Sequence, residues 1–252
     1  MNQELKGFNL SKQELIDLHN HLIYGMDDGA KSFHETTQML LQAKNNGVAT
    51  IYATPHVVPG RIDFPIDRFF QRVKKANDWC RENGLMLTVL PGCEIFYTPE
   101  TIRFLNEERI PCLGNTNCVL VEFNPNVSYN ELRDAVRKLQ NSGYQPVVAH
   151  IERYRCLRMP GRMAEIQNAY GALLQMNAHF FSTKQSFFTE RWKKQVLSRS
   201  LIDIIASDSH DTKHRPCCLK KCFDCISEEY GAKKADSLLA YRLSHDEGAE
   251  EK

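Results

Sequence analysis

Asp17-Leu18-His19-Asn20-His21 is the stretch on which the reading of the fold turns. It follows the apolar pair Leu15-Ile16, so it reads as the end of a buried strand. Strand side chains alternate with period two, which sends His19 and His21 the same way, with Asp17 behind them on that face. Two imidazoles converging from the C-terminal end of a strand form half of a divalent-metal site. Alone, a His-x-His pair is weak evidence, and two surface histidines would be the plainer reading. What separates the two is whether ligand-type side chains recur at later strand ends.

They do. Residues 48–54 read as a strand leading into Pro55-His56, and 86–90 as one running into Pro91-Gly92-Cys93-Glu94. Residues 118–123 carry Glu122, 146–149 end at His150, 172–176 end at Asn177, and 201–206 run into Ser207-Asp208-Ser209-His210. Helical patterns separate most of them. Ser32 and Glu35 have capping-box spacing, and Met39, Leu40 and Ala43 follow at helical intervals until Gly47. Phe69, Phe70, Val73, Ala76 and Trp79 give a core stripe over 65–83, and 129–141 reads as a helix closed by Gly143. Seven short apolar strands alternating with helices predict a parallel sheet, and closure into a barrel is the form expected at 252 residues. Active sites of such barrels lie at the C-terminal strand ends, where six of these seven strands deliver His, Asp or Glu. So many carboxylates at one rim cannot all stay ionised without cations.

Composition excludes other classes. Lys+Arg is 32 against Asp+Glu 31, a net charge of +1, which leaves no footprint for nucleic acid or an anionic membrane. No apolar run approaches the roughly 20 residues of a membrane span. The opening MNQELKGFNLSKQEL lacks a secretory pattern, and nine irregularly spaced cysteines fit a reduced, cytoplasmic setting better than a disulfide framework. Residues 1–14 read as a polar N-terminal extension, 15–243 as one catalytic barrel and 244–252 as a disordered tail.

The motifs DLHNHLIYGMDDGAKS (17–32), TPH (54–56), GCEIFY (92–97), VEF (121–123), HIERY (150–154) and ASDSH....RP (206–216) occur in one order. Together they resemble the polymerase-and-histidinol-phosphatase (PHP) superfamily. Within it they are most similar to the manganese-dependent protein tyrosine phosphatases of bacterial capsule and exopolysaccharide clusters, over about residues 15–240. The resemblance implies an α/β fold, a distorted (βα)7 barrel, with three divalent metal ions. By it, His19, His21, Glu94 and Asp208 would hold the first ion. Glu94 would bridge to a second completed by Glu122 and His150, and Asp28, His56 and His210 would hold the third. Manganese is the expected ion, and the mixed donors also suit iron or zinc. Arg153 and Arg215 match the phosphate-binding arginines, whose planar forks grip phosphoryl oxygens.

The implied reaction is hydrolysis of phosphotyrosine by a metal-activated hydroxide, on a partner expected to be a bacterial tyrosine autokinase. A small phosphate ester of the histidinol phosphate kind, and a barrel that binds phosphoproteins without hydrolysing them, stay open as alternatives. Three departures from the family stand out: a longer N-terminus, Asn20 where serine is usual, and variation in Ser209-His210-Asp211-Thr212. None removes a ligand.

Two cysteine motifs compete for attention. Cys156-x5-Arg162 has the spacing of thiol-based tyrosine phosphatases, but it lies six residues past His150 and contains Pro160. Cys218-x3-Cys222-x2-Cys225 has the spacing of a cluster-binding motif, yet on a helix these positions share a face with Leu219 and Ile226 and read as core. His34 and His245 read as surface residues, and His179 and His214 as residues lining the cleft.

Overall fold

The structure is a computed structural model describing residues 14–243. The expected extension 1–14 (bar its last residue) and tail 244–252, with His245, lie outside the described residues.

The chain runs β1 (Leu15–Asn20), α1 (Phe33–Asn45), β2 (Val48–Ala53), β3 (His56–Val57), α2 (Ile66–Glu82), β4 (Thr88–Pro91), β5 (Glu94–Phe96) and α3 (Thr101–Asn106). It continues with β6 (Cys118–Glu122), α4 (Tyr129–Asn141) and β7 (Gln145–Val148). Two 3-10 turns, Ile151–Arg153 and Arg155–Arg158, lead to α5 (Arg162–Tyr170), β8 (Leu173–Asn177), α6 (Ala178–Ser182), α7 (Phe187–Ser198), β9 (Ile204–Ala206), α8 (Leu219–Tyr230) and α9 (Ala232–Leu239). Every strand pairing is parallel, in the orders β1-β2-β4 and β3-β5-β6-β7-β8-β9. An isolated bridge from Asn20 to Ser209, with His21 N donating to Ser209 O at 2.9 Å, brings the end of β9 back to β1. The result is a curled parallel sheet, a distorted βα barrel.

Among the described residues nine strands appear where seven were expected, because two of the seven break. The breaks fall at Thr54-Pro55 and at Gly92-Cys93, between β2 and β3 and between β4 and β5. Proline has no N–H for the ladder, so pairing is interrupted at Pro55 and just past Pro91, and it resumes as β3 against β5. Each restart begins on a ligand-type residue, His56 or Glu94, and these two are directly paired in register.

One buried cluster (Ile16, Leu18, Tyr52, Leu120, Val147, Ala149, Ile204 and Ala206 among others) draws on strands and loops without any helical residue, as the inside of a barrel must. The larger cluster packs the helices on the outer face. Ser32 caps α1 by accepting from Glu35 N, while the Glu35 carboxylate reaches Lys31 N rather than Ser32 N, so only half of the capping box forms. The α2 stripe is narrower than expected: Phe69, Val73, Ala76 and Cys80 are buried, but Phe70 is exposed, lying one position off the core-facing line. Likewise Cys222 is buried with Leu219 and Ile226, whereas Cys225 is exposed and Cys218 stands before the first turn of α8.

Candidate metal centre

The C-terminal rim gathers all nine expected ligand residues. Asp208 and His210 follow β9, His150 follows β7, Glu122 ends β6, Glu94 and His56 open β5 and β3, His19 lies near the end of β1 and His21 just beyond it. His19, His21, Glu94 and Asp208 offer donor atoms all within 4.8 Å of one another, as do His21, Asp28, His56 and His210, and His56, Glu94 and Glu122. His150 joins through Nε2, which touches Glu94 Oε1 and lies 4.0 Å from Glu122 Oε2. His150 and Asp208 both adopt left-handed backbone conformations (φ 52° and 54°), which non-glycine residues avoid. That strain, of order 1–3 kcal/mol per residue, turns their side chains off the strand direction and into the centre.

Hydrogen bonds outside the centre fix the imidazole tautomers. His150 N donates to Gln175 Oε1 at 3.1 Å, so that oxygen is an acceptor and Gln175 Nε2 donates to Asn177 Oδ1 at 2.9 Å. His19 Nδ1, 3.3 Å from Gln175 Oε1, and His150 Nδ1, 3.1 Å from Asn177 Oδ1, must then carry their protons. His21 Nδ1 faces the Asp27 carboxylate at 2.6 Å, and His210 Nδ1 faces the backbone carbonyl of Asp208 at 3.0 Å. All four neutral rings therefore turn an Nε2 lone pair inward. His19 Nε2 and His21 Nε2 stand 3.1 Å apart, an arrangement that needs something positive between or beside them.

The carboxylates tell the same story. Glu94 Oε2, Asp208 Oδ1 and His210 Nε2 are buried without a hydrogen-bond partner. His56 Nδ1, His19 Nε2 and His21 Nε2 approach Glu94 Oε2 to 2.9, 3.1 and 3.4 Å, but none is aligned as its donor. Left to protons alone, the centre collects them on His21 and His56, while burial and the neighbouring His21 lower His210 to about 4. Burial lowers His56, yet Glu122 and Glu94 outweigh it and raise that ring to about 10. Burial likewise opposes charge on His21, and Asp208, Asp27 and Glu94 hold it well above the ordinary imidazole range. Burial would raise Glu94, but the charges of His19 and His150 hold it well below the usual carboxylate range. Orphaned oxygens, inward lone pairs and proton hunger together fit divalent cations.

The sequence model for capsular polysaccharide synthesis proteins, CpsB/CapC, matches residues 15–243. The chain belongs to the CpsB/CapC family. Its relatives include the tyrosine-protein phosphatase CpsB of Streptococcus pneumoniae, 31% identical over 231 residues that cover 89% of this chain and 95% of that protein. Tyrosine-protein phosphatase YwqE of Bacillus subtilis (strain 168) is 28% identical, over 92% of this chain and 89% of that one. A crystal structure from work on YwqE and the S. pneumoniae CpsB, described as metal-dependent tyrosine phosphatases, superposes with a TM-score of 0.79 at 27% identity, covering 88% of this chain and 90% of the other. Histidinol phosphate phosphatase of Lactococcus lactis, at 14% identity and a TM-score of 0.54 over 88% of this chain and 94% of the other, shares the fold.

In this CpsB/CapC chain the expected phosphate arginines converge on one atom. Arg153 and Arg215 donate to Asp208 Oδ2 at 3.3 and 3.0 Å, and Asn177 Nδ2 donates to the same oxygen at 2.8 Å. Both arginines are partly exposed and line a cavity of about 180 Å³ together with Asn177, Asp208, His179 and His214. The two rim histidines thus stand where the sequence placed them, and His34 is exposed.

Three site residues escaped the sequence reading. Gln175 and Asn177 come from β8, which delivers no charged side chain to the rim; they orient His19, His150 and Asp208 instead. Asp27, one residue before Asp28, accepts from His21 Nδ1 and from His56 N at 2.9 Å and Gly29 N at 2.9 Å. Gly29 is required here, since a Cβ would lie 2.1 Å from His21 O. Asp17 departs from expectation. β1 carries an extra residue against β2 between Asp17 and Asn20, which breaks the alternation. Asp17 instead accepts from Ser207 N at 2.8 Å and Asn20 Nδ2 at 2.9 Å, tying β1 to β9.

Outer hydrogen-bond partners of this kind tune metal affinity about 10- to 100-fold. Asp27→Asn is accordingly expected to weaken metal retention by about that factor. Metal content after dialysis against a buffered ion checks this, with circular dichroism to confirm the fold; full retention would show that Asp27 only shapes the loop.

Cys156 does not resemble a nucleophile in place. It sits in a 3-10 turn, burial raises its thiol, and its carbonyl, rather than its sulfur, takes the Arg162 guanidinium at 2.9 Å.

Proposed function

We propose that this chain is a metal-dependent protein tyrosine phosphatase. Its substrate on this reading is phosphotyrosine of a bacterial tyrosine autokinase in capsular or exopolysaccharide synthesis, met in the cytoplasm. The observation that carries the reading is four inward Nε2 lone pairs and two orphaned carboxylate oxygens lying directly beside two converging guanidinium groups. Family membership agrees with it.

His19, His21, Glu94 and Asp208 would hold one ion, Glu94, Glu122 and His150 a second, and Asp28, His56 and His210 a third. Manganese is the first choice, and iron and zinc are chemically admissible. Divalent cations supply Lewis acidity toward phosphoryl oxygens and bring water's pKa toward about 7. The protein's own part is positioning and charge. Asp208 offers Oδ1 to the centre while its Oδ2 holds both arginines at the rim. Arg153 and Arg215, partly exposed, can swing from Asp208 to the phosphoryl oxygens and stabilise the charge that spreads over them as the ester bond loosens. Gln175 and Asn177 keep His19 and His150 in the tautomer that presents Nε2. A phenolate leaves more readily than an alkoxide, which lessens the need for a proton donor at the leaving oxygen.

Hydrolysis of p-nitrophenyl phosphate and a phosphotyrosine peptide by the wild type, Cys156→Ser and His150→Ala, each stripped of metal and refilled with manganese, tests the proposal. Activity on both substrates should require metal and His150 but not Cys156. Metal-independent activity lost with Cys156 would sink it.

A further inference from the structure

The rim beside Glu122 opens into a groove of about 570 Å³, within the range of ligand sites, that the reaction itself does not use. Its inner wall is continuous with the metal centre. Phe96 is the register partner of Glu122, Tyr97 N donates to Glu122 O at 2.9 Å, and Phe123 follows Glu122 in the chain. The wall is aromatic and braced: the Tyr97 and Phe123 rings lie 5.7 Å apart, and Phe123 stands edge-on to buried Tyr154, whose hydroxyl accepts from Phe123 N at 3.0 Å. The opposite wall is the 131–134–135–138 face of α4, bringing Glu131 and Asp134 against one cation, Lys138. Asp134 also pairs with Arg133 and Arg137 on the helix surface, at 3.1 and 3.6 Å, and Glu131 Oε2 accepts from Ser128 N at 3.0 Å, so the groove's charge preference rests on carboxylates already partly engaged.

Charge is therefore split across the rim. The cavity on the β7 to β9 side holds Arg153, Arg215, His179 and His214, while the groove on the β5 to β6 side is aromatic with a carboxylate excess. A peptide that placed its phosphate on the arginine side and crossed the metal centre would lay its neighbouring residues over the groove. We infer that the groove between the Phe96-Tyr97-Phe123 wall and α4 is a substrate subsite for residues flanking the phosphotyrosine, taking a large apolar side chain accompanied by a basic residue. Aromatic walls reward apolar area, and the carboxylates reject acidic flanks by leaving two like charges close together. The inference rests on the phosphotyrosine reading and adds the sequence context.

Three phosphotyrosine peptides decide it, flanked by phenylalanine and lysine, by glycine, or by glutamate, with p-nitrophenyl phosphate as the reference substrate. The wild type should favour the first over the third by about tenfold in kcat/KM, mostly through KM. Val127→Trp, which narrows the groove, and Asp134→Lys, which reverses an exposed charge, should each cut that preference by about three- to tenfold relative to p-nitrophenyl phosphate. Equal turnover of the three peptides by the wild type, or an unchanged preference in both variants, would overturn the subsite while leaving the phosphatase reading intact. Failure of the wild type on every phosphotyrosine peptide, with p-nitrophenyl phosphate still hydrolysed, would overturn both.

Discussion

Glu94→Gln is expected to lower phosphatase turnover by about a thousandfold or more and to strip the protein of bound metal, with the fold kept. Glu94 is fully buried, and its two oxygens face His19, His21 and His56 on one side and His150 on the other. Glutamine has the same size, so packing is preserved. What changes is charge and one donor: an anion shared among four imidazoles becomes a neutral amide that aims an N–H₂ at a crowded pocket. Lewis-acid stabilisation is worth several kcal/mol, and each 1.4 kcal/mol is about tenfold in rate. Metal analysis, turnover and circular dichroism of the same preparation check the expectation. Normal metal content would mean that the centre is not built around Glu94.

Arg215→Ala should behave differently. It is expected to reduce turnover by about 100-fold while leaving metal content unchanged, because Arg215 meets the expected ligands Asp208 and Asp28 only through their Oδ2 atoms, at 3.0 and 3.6 Å, whereas the Oδ1 atoms face the centre. Arg215→Lys should recover only part of the loss, since an ammonium restores the charge but not the two parallel hydrogen bonds of a guanidinium. Arg153, which donates to the same oxygen, should show the same pattern. The contrast with Glu94→Gln is what matters: turnover lost with metal retained marks a phosphate clamp, and turnover lost with the metal marks a ligand. Loss of metal from Arg215→Ala would assign the arginine to holding Asp208 in place.

The positions of the ligand-type residues were legible because a parallel βα barrel repeats one rule. Each strand is a short apolar run, and whatever follows it faces the same rim, so His56, Glu94, Glu122, His150 and Asp208 could be found by where the apolar runs stop. Helix 129–141 was legible to the residue, since Ser128 and Glu131 form a complete capping box that fixes its start. Asp27 was not legible: Asp27-Asp28 offers two equivalent carboxylates, and only the tight turn at Gly29 decides that Asp27 lies beneath His21 while Asp28 stays 61% exposed. Gln175 and Asn177 were hidden for a related reason. Neutral amides on a buried strand carry no charge signal, and their role appears only once β8 lies between β7 and β9.

Local sequence alone thus determined which residue types stand at the strand ends, because apolar periodicity and the break that ends it are properties of a few neighbouring residues. Tertiary structure decided where each donor atom points. The broken second and third strands, the left-handed turns at His150 and Asp208, and the amide network that sets the imidazole tautomers all depend on pairings between residues as much as 190 positions apart. No local pattern encodes a contact over that separation, and it is those contacts that turn a row of strand-end histidines and carboxylates into one centre.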